Sequence, residues 1–151
     1  MRVVLQRVSR ASVEVEGKIV GKIGNGLLLL LGIHVDDSIK ELEWMVKKVI
    51  GLRIFEDEDE KMNNSLSDVG GSLLIVSQFT LYGDCEKGRR PGFVNAARPE
   101  KAIPIYEEFI ERCKRLGVCV ESGKFGADMK VDLLNDGPVT LVIDSPARLK
   151  G

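Results

Sequence analysis

One histidine and three cysteines are all the imidazole and thiol that this chain of 151 residues carries. Cys85, Cys113 and Cys119 are odd in number and form no CxxC pair, which argues against a disulfide framework and for reduced thiols. With only His34 beside them, thiolate and imidazole ligands are too few for a structural zinc site, so neither metal nor cofactor is expected. No apolar run approaches the roughly 18 residues of a membrane span. The longest, Leu27 to Leu31, has the length of a buried strand, and no membrane partner is expected. The opening MRVVLQRVSRASVEV carries charge throughout and no small-residue cleavage site, unlike a signal peptide, so a cytoplasmic location is expected. An excess of one charge is lacking too: 22 basic side chains face 23 acidic ones, for a net charge of −1. Coating a long nucleic acid takes a strong basic excess to neutralise phosphates. This chain is suited at most to a short piece, and no DNA partner is expected.

What is present is ordinary for one folded domain spanning 1–151: 44% hydrophobic and 30% charged residues, enough to build a core. Arg2 to Val8 and Ala11 to Glu16 each alternate as strands, and Glu16-Gly17 turns into a third, Lys18 to Ile23. After the turn Gly24-Asn25-Gly26, Leu27 to Val35 is apolar on both faces and reads as a central strand. Asp36, Asp37 and Ser38 are candidate N-caps for a helix whose apolar positions recur from Ile39 to about Leu52. A second helix starts at Pro99, turns Ile105, Phe109, Cys113 and Leu116 to the core, and stops before Gly117. Residues 56–71 read as a loop. The expected architecture is α+β: about seven mostly antiparallel strands in two β layers, with two main helices as a third layer (β/β/α).

Four stretches are candidates for chemistry. Ser77-Gln78-Phe79-Thr80 continues the buried run Leu73 to Val76. Read as a strand, it puts Gln78 and Thr80 on one face and Ser77 and Phe79 on the other. Thr80 is then a candidate nucleophile or water holder, and amides near Gln78 and Phe79 are candidate oxyanion donors. A threonine nucleophile needs a base, and no acid is placed to orient His34, which reads as a surface or cap residue. The second stretch, Asn135-Asp136-Gly137-Pro138-Val139-Thr140, reads as a turn between strands; a cis Gly137-Pro138 bond would instead point two carbonyls the same way. The third, Lys87 to Phe93, offers Arg89 and Arg90 either to phosphates or to solvent. In the fourth, Lys124 to Met129, Phe125 is either a base-stacking surface or core. The acidic run Glu56 to Glu60 lacks the glycine and ligand spacing of a calcium loop and reads as solvated.

Taken together, these stretches resemble the D-aminoacyl-tRNA deacylase family, long called D-tyrosyl-tRNA(Tyr) deacylases. The resemblance covers the whole chain. It rests on Gln6-Arg7-Val8 with Ala11-Ser12-Val13, on Ser77-Gln78-Phe79-Thr80-Leu81, on Lys87 to Pro91, on Phe125 to Met129 and on Asn135 to Thr140. Gly92 replaces a common serine, and Asp136 occupies a tolerant position. The resemblance implies a cytoplasmic homodimeric hydrolase acting on the 3′ end of D-aminoacyl-tRNA, with active sites at the subunit interface. Ser77, Gln78, Phe79 and Thr80 would line the pocket floor, with Phe125 and Met129 as a wall for the terminal adenosine. A cis Gly137-Pro138 from the partner would hold the substrate's α-amino group and exclude L side chains, with Arg7 bracing it. Exclusion by shape would admit glycine, hence glycyl-tRNA mischarged on tRNA(Ala). Two other classes remain open: an acyl hydrolase using Thr80 on a small non-RNA ester, and a non-catalytic RNA-end-binding module.

Overall fold

The computed structural model describes residues 1–150; Gly151, the last residue of the expected domain, lies outside the described residues. Its spine is a 14-residue strand, β1 (Arg2–Val15). Residues 2–8 and 11–16, expected as two strands, fall in one continuous element that ends at Val15. After the turn at Glu16-Gly17 come β2 (Lys18–Ile23) and β3 (Gly26–Gly32). Both pair antiparallel with β1, β3 against Arg2–Val8 and β2 against Ala11–Val15. β1 is long enough to carry both on one edge.

Helix α1 (Ile39–Gly51) starts at Ser38 in a capping box: the Ser38 hydroxyl accepts from the Lys40 amide, and Glu41 reaches back to the Ser38 amide. This satisfies amides that a helix start leaves open. Residues 56–71, expected as a loop, include most of a short hairpin of β4 (Phe55–Glu56) and β5 (Met62–Asn64). β6 (Ser72–Ser77) then lies parallel to β3, and β7 (Cys119–Ser122) parallel to β6. Between them runs α2 (Pro99–Arg115), with proline in its first turn, where a missing N–H costs nothing. Ile105, Phe109 and Cys113 pack inward, but Leu116 is 57% exposed. Leu116 caps the helix at Gly117, which has φ of 85°, so its side chain has left the buried stripe.

The last strand, β8 (Met129–Asp144), pairs with β1 from end to end. Asn135 to Pro138 is therefore not a turn joining two neighbours. It is an excursion within one strand. Thr140 sits opposite Gln6 and Asn135 opposite Val8, so the residues between them are pushed out of the ladder.

The layers follow from the alternation in β3 and β6. Leu27, Leu29, Leu31, Leu73 and Ile75 pack with Leu42, Met45, Phe109 and Cys113 of the helices. Leu28, Leu74 and Val76 point the other way, against Val8, Ala11, Val13 and Ile23. β3 and β6 thus form a middle layer, apolar on both faces, between the helices and a second β layer. Gly21 lets β2 close over this layer: a Cβ there would stand 2.7 Å from the Ser122 carbonyl oxygen and 3.1 Å from Leu74.

Candidate active site

β6 ends at Ser77, one residue before its neighbour β3 stops guiding it. The Gln78 amide still donates to the Leu31 carbonyl (2.8 Å). The chain then leaves the sheet as a 3₁₀ turn, Phe79–Tyr82. This corrects the strand reading of residues 78–82. The turn is seated by close approach and by Arg2. A Cβ on Gly32 would lie 3.1 Å from Leu81 Cβ and 3.2 Å from the Gln78 carbonyl. Arg2 Nη1 donates to the Leu81 carbonyl (3.0 Å), with its guanidinium 5.1 Å from the centre of the Tyr82 ring. Burial pushes the Tyr82 phenol well above its ordinary range.

The turn changes what each polar group does. Gln78 and Thr80, expected to share a face, touch: Gln78 Nε2 donates to Thr80 Oγ1. No titratable side chain among the described residues hydrogen-bonds Thr80. The Gln78 amide, expected as a possible oxyanion donor, is occupied by Leu31. The Phe79 and Thr80 amides open the 3₁₀ turn and so have no partner inside it. They are the free donors at this strand end.

Beside them lies a cavity of about 240 Å³. Ser77, Gln78, Phe79, Phe125 and Met129 line it, together with the apolar Leu31 and Val76. Thr80 is not part of the lining. Phe125 is positioned by Tyr106, whose ring lies 5.7 Å away centre to centre and whose hydroxyl donates to the Ile75 carbonyl (3.2 Å). Burial pushes the Tyr106 phenol up to about 12, so it stays a neutral donor. Phe79 is 57% exposed and rests edge-on against Phe93, 5.2 Å away. Ala97, Ala127 and Asp128 also line the cavity, and Tyr106 supports it. Ala127 and Asp128 lie inside the Lys124–Met129 stretch, while Ala97 and Tyr106 lie outside the four candidate stretches. Tyr106 gave no signal beyond its place on a buried helix face.

His34 lies outside this lining. Its Nδ1 accepts from the Asp36 amide (3.0 Å) and its ring meets Tyr82 edge-on at 5.1 Å. Burial holds its pKa below the usual value, and the neutral ring keeps Nδ1 free to accept. Arg89 and Arg90 are exposed on a loop closed by paired Asp84 and Gly92 backbones (2.7 and 2.9 Å). They too lie outside the lining.

The Gly137-Pro138 bond is cis. The base of its excursion is tied by Asn135, whose Nδ2 donates to the carbonyls of Arg7 (2.9 Å) and Val139 (3.1 Å). Arg7 is 4% exposed. Its Nη1 donates to the Ile54 carbonyl (2.8 Å), and its Nε lies 3.1 Å from Asp136 Oδ2, an ion pair not aligned as a hydrogen bond. Asp136, read from sequence as a tolerant position, is thus half of the contact between the excursion and the sheet.

Strand register measures how far this excursion lies from the cavity of its own chain. Arg7 pairs with Leu27, and Leu27 with Leu73, four residues before Ser77. Four residues along β6 and three strand spacings across the sheet make about 20 Å. That path runs along the sheet, and none of residues 135–140 lines the cavity of its own chain.

Comparison with known proteins places these features in context. The family model described as D-Tyr-tRNA(Tyr) deacylase matches residues 4–144. A D-aminoacyl-tRNA deacylase of Thermosipho africanus is 59% identical over 96% of this chain and 97% of its own length. A D-aminoacyl-tRNA deacylase of Clostridioides difficile is 58% identical over the same shares. A solved structure described as c-Myc DNA Unwinding Element Binding Protein is 45% identical, with a TM-score of 0.91, covering 97% of this chain and all of that one. The chain belongs to the D-Tyr-tRNA(Tyr) deacylase family.

Proposed function

We propose that this protein hydrolyses the ester between a D-amino acid and the 3′-terminal adenosine of tRNA. The observation that carries the reading is the match of nearly the whole chain to proteins so named, together with a cavity at the end of β6 with free backbone amides beside it. Water adds to the ester carbonyl carbon, the bond to the ribose oxygen breaks, and free amino acid and tRNA leave. The Phe79 and Thr80 amides are the donors for the oxyanion. The terminal ribose 2′-hydroxyl helps the attacking water. Thr80, held by Gln78 and with no base in contact, shapes the site rather than attacking. An ester is an activated bond, so positioning and oxyanion donors carry most of this chemistry.

The active unit is a homodimer in the cytoplasm. The separation of about 20 Å between Gly137-Pro138 and the cavity of the same chain supports a filter donated by a second copy. In that reading the Gly137 and Pro138 carbonyls hold the α-amino group and leave no room for an L side chain. Glycine has no side chain to exclude, so glycyl-tRNA on tRNA(Ala) is also a substrate. Phe125 and Met129 face the terminal adenosine. Arg89 and Arg90 contact tRNA phosphates from outside the cavity. A net charge of −1 suits a protein that grips a single-stranded 3′ end through base and ribose contacts. The test is release of D-tyrosine from D-tyrosyl-tRNA by purified protein. Release above the spontaneous rate is expected, and none would overturn the reading. A Thr80-dependent hydrolase of small esters would instead turn over simple esters regardless of tRNA. An RNA-end-binding module would bind without releasing product.

A further inference from the structure

A second cavity, of about 440 Å³, lies against the first. The two share Phe125 to Asp128, so one short loop divides them. Their chemistry differs. The first is mostly apolar. The second is lined by Glu14, Glu16, Lys124, Asp128 and Lys130, and none of these side chains forms an ion pair or hydrogen bond among the described residues. Glu14 and Lys130 are direct partners across β1 and β8, where Cβ atoms stand about 5 Å apart. A carboxylate acceptor and an ammonium donor therefore stand side by side, each with its bonding capacity unspent.

The geometry points to a subsite for the cytidine that precedes the terminal adenosine of tRNA. This rests on the proposed function, which puts that adenosine against Phe125. The next nucleotide back along the strand then crosses the Phe125–Asp128 loop. Single-stranded bases splay apart and are read on their Watson–Crick edges. Cytosine offers an N4 amino donor beside N3 and O2 acceptors. Glu14 accepts from N4, as carboxylates do, and Lys130 donates to the acceptor side. Uracil presents a carbonyl where cytosine has its amino group, and so meets Glu14 with the wrong polarity. Lys124, just before the dividing loop, faces the connecting phosphate.

The experiment compares 3′-D-tyrosyl esters of the dinucleotides CpA and UpA. The subsite predicts a kcat/KM at least about fivefold higher for CpA, the lower end of what one good base contact discriminates. The double variant Glu14→Ala, Lys130→Ala brings the ratio to one; a thermal melt confirms that it folds. Equal turnover of the two esters by the wild type, or a CpA preference that survives the double variant, overturns the subsite while leaving the deacylase reading intact. A separate arm follows amide chemical shifts of residues 14–16 and 124–130 with unacylated CpA and UpA. Tighter binding of CpA is expected, and equal saturation overturns the proposal. Failure to hydrolyse D-tyrosyl-tRNA itself is a different result and removes the functional reading on which the subsite rests.

Discussion

Arg7 Nε stands 3.1 Å from Asp136 Oδ2, joining the core of β1 to the residue before Gly137. The arginine is buried, while the aspartate side chain is 53% exposed. The guanidinium also donates to Ile54 and lies 3.8 Å from Glu56. One buried cation thus holds the strand excursion, the chain before β4 and the β4 strand together.

Arg7→Met removes these contacts while keeping much of the apolar stem. It is expected to cost about 2 kcal/mol, the range for a hydrogen bond to a charged group, measured by urea unfolding. If the Gly137-Pro138 excursion is the chiral filter, the same variant also raises hydrolysis of L-tyrosyl-tRNA. Wild-type stability together with unchanged selectivity would contradict the bracing role.

Thr80→Ala tests whether the hydroxyl attacks. With the Phe79 and Thr80 amides as the oxyanion donors, the variant keeps a single-turnover rate within about tenfold of wild type, or ~1.4 kcal/mol of barrier. Complete loss with intact folding and substrate binding would make Thr80 the nucleophile.

Glycyl-tRNA(Ala) separates exclusion from recognition. A filter that works by shape leaves glycine nothing to clash with, so measurable release of glycine is expected. A site that requires a D side chain would leave glycyl-tRNA untouched.

The capping box predicts a pH dependence. Burial raises the Glu41 pKa, but hydrogen bonds from the Ser38 hydroxyl and amide outweigh it and hold it below its ordinary value of 4.5. A carboxylate depressed on folding stabilises above its unfolded pKa, and this is lost as pH falls through the folded value. Ser38→Ala is therefore expected to cost about 1 kcal/mol near neutrality. The gap from wild type should narrow in acid. Urea unfolding at about pH 7 and about pH 3.5 checks this; a gap that widens in acid would contradict it.

The helices were legible because their signals are local. Ser38 with Glu41 forms the cap, and Phe109 and Cys113 recur at helical spacing. The double-faced burial of β3 was legible from its unbroken leucines. Three features were not. Phe79–Tyr82 has strand-like residues, yet a tertiary seat on Gly32 and Arg2 turns it into a 3₁₀ element. Asn135 to Pro138 has the residues of a turn, but long-range pairing with β1 keeps both flanks in one strand. Asp136 gave no local sign of its role, because its partner Arg7 lies on another strand. Most residues around the cavity lie in the stretches that carry the family resemblance, but their arrangement there depends on the 3₁₀ turn at Phe79–Tyr82.

The most direct measurement gives purified protein D-tyrosyl-tRNA and L-tyrosyl-tRNA at equal concentration and follows free tyrosine. The account predicts rapid release from the D ester, with the L ester decaying at its spontaneous rate. Equal enzymatic hydrolysis of both would contradict the assignment of Gly137-Pro138 as a chiral filter.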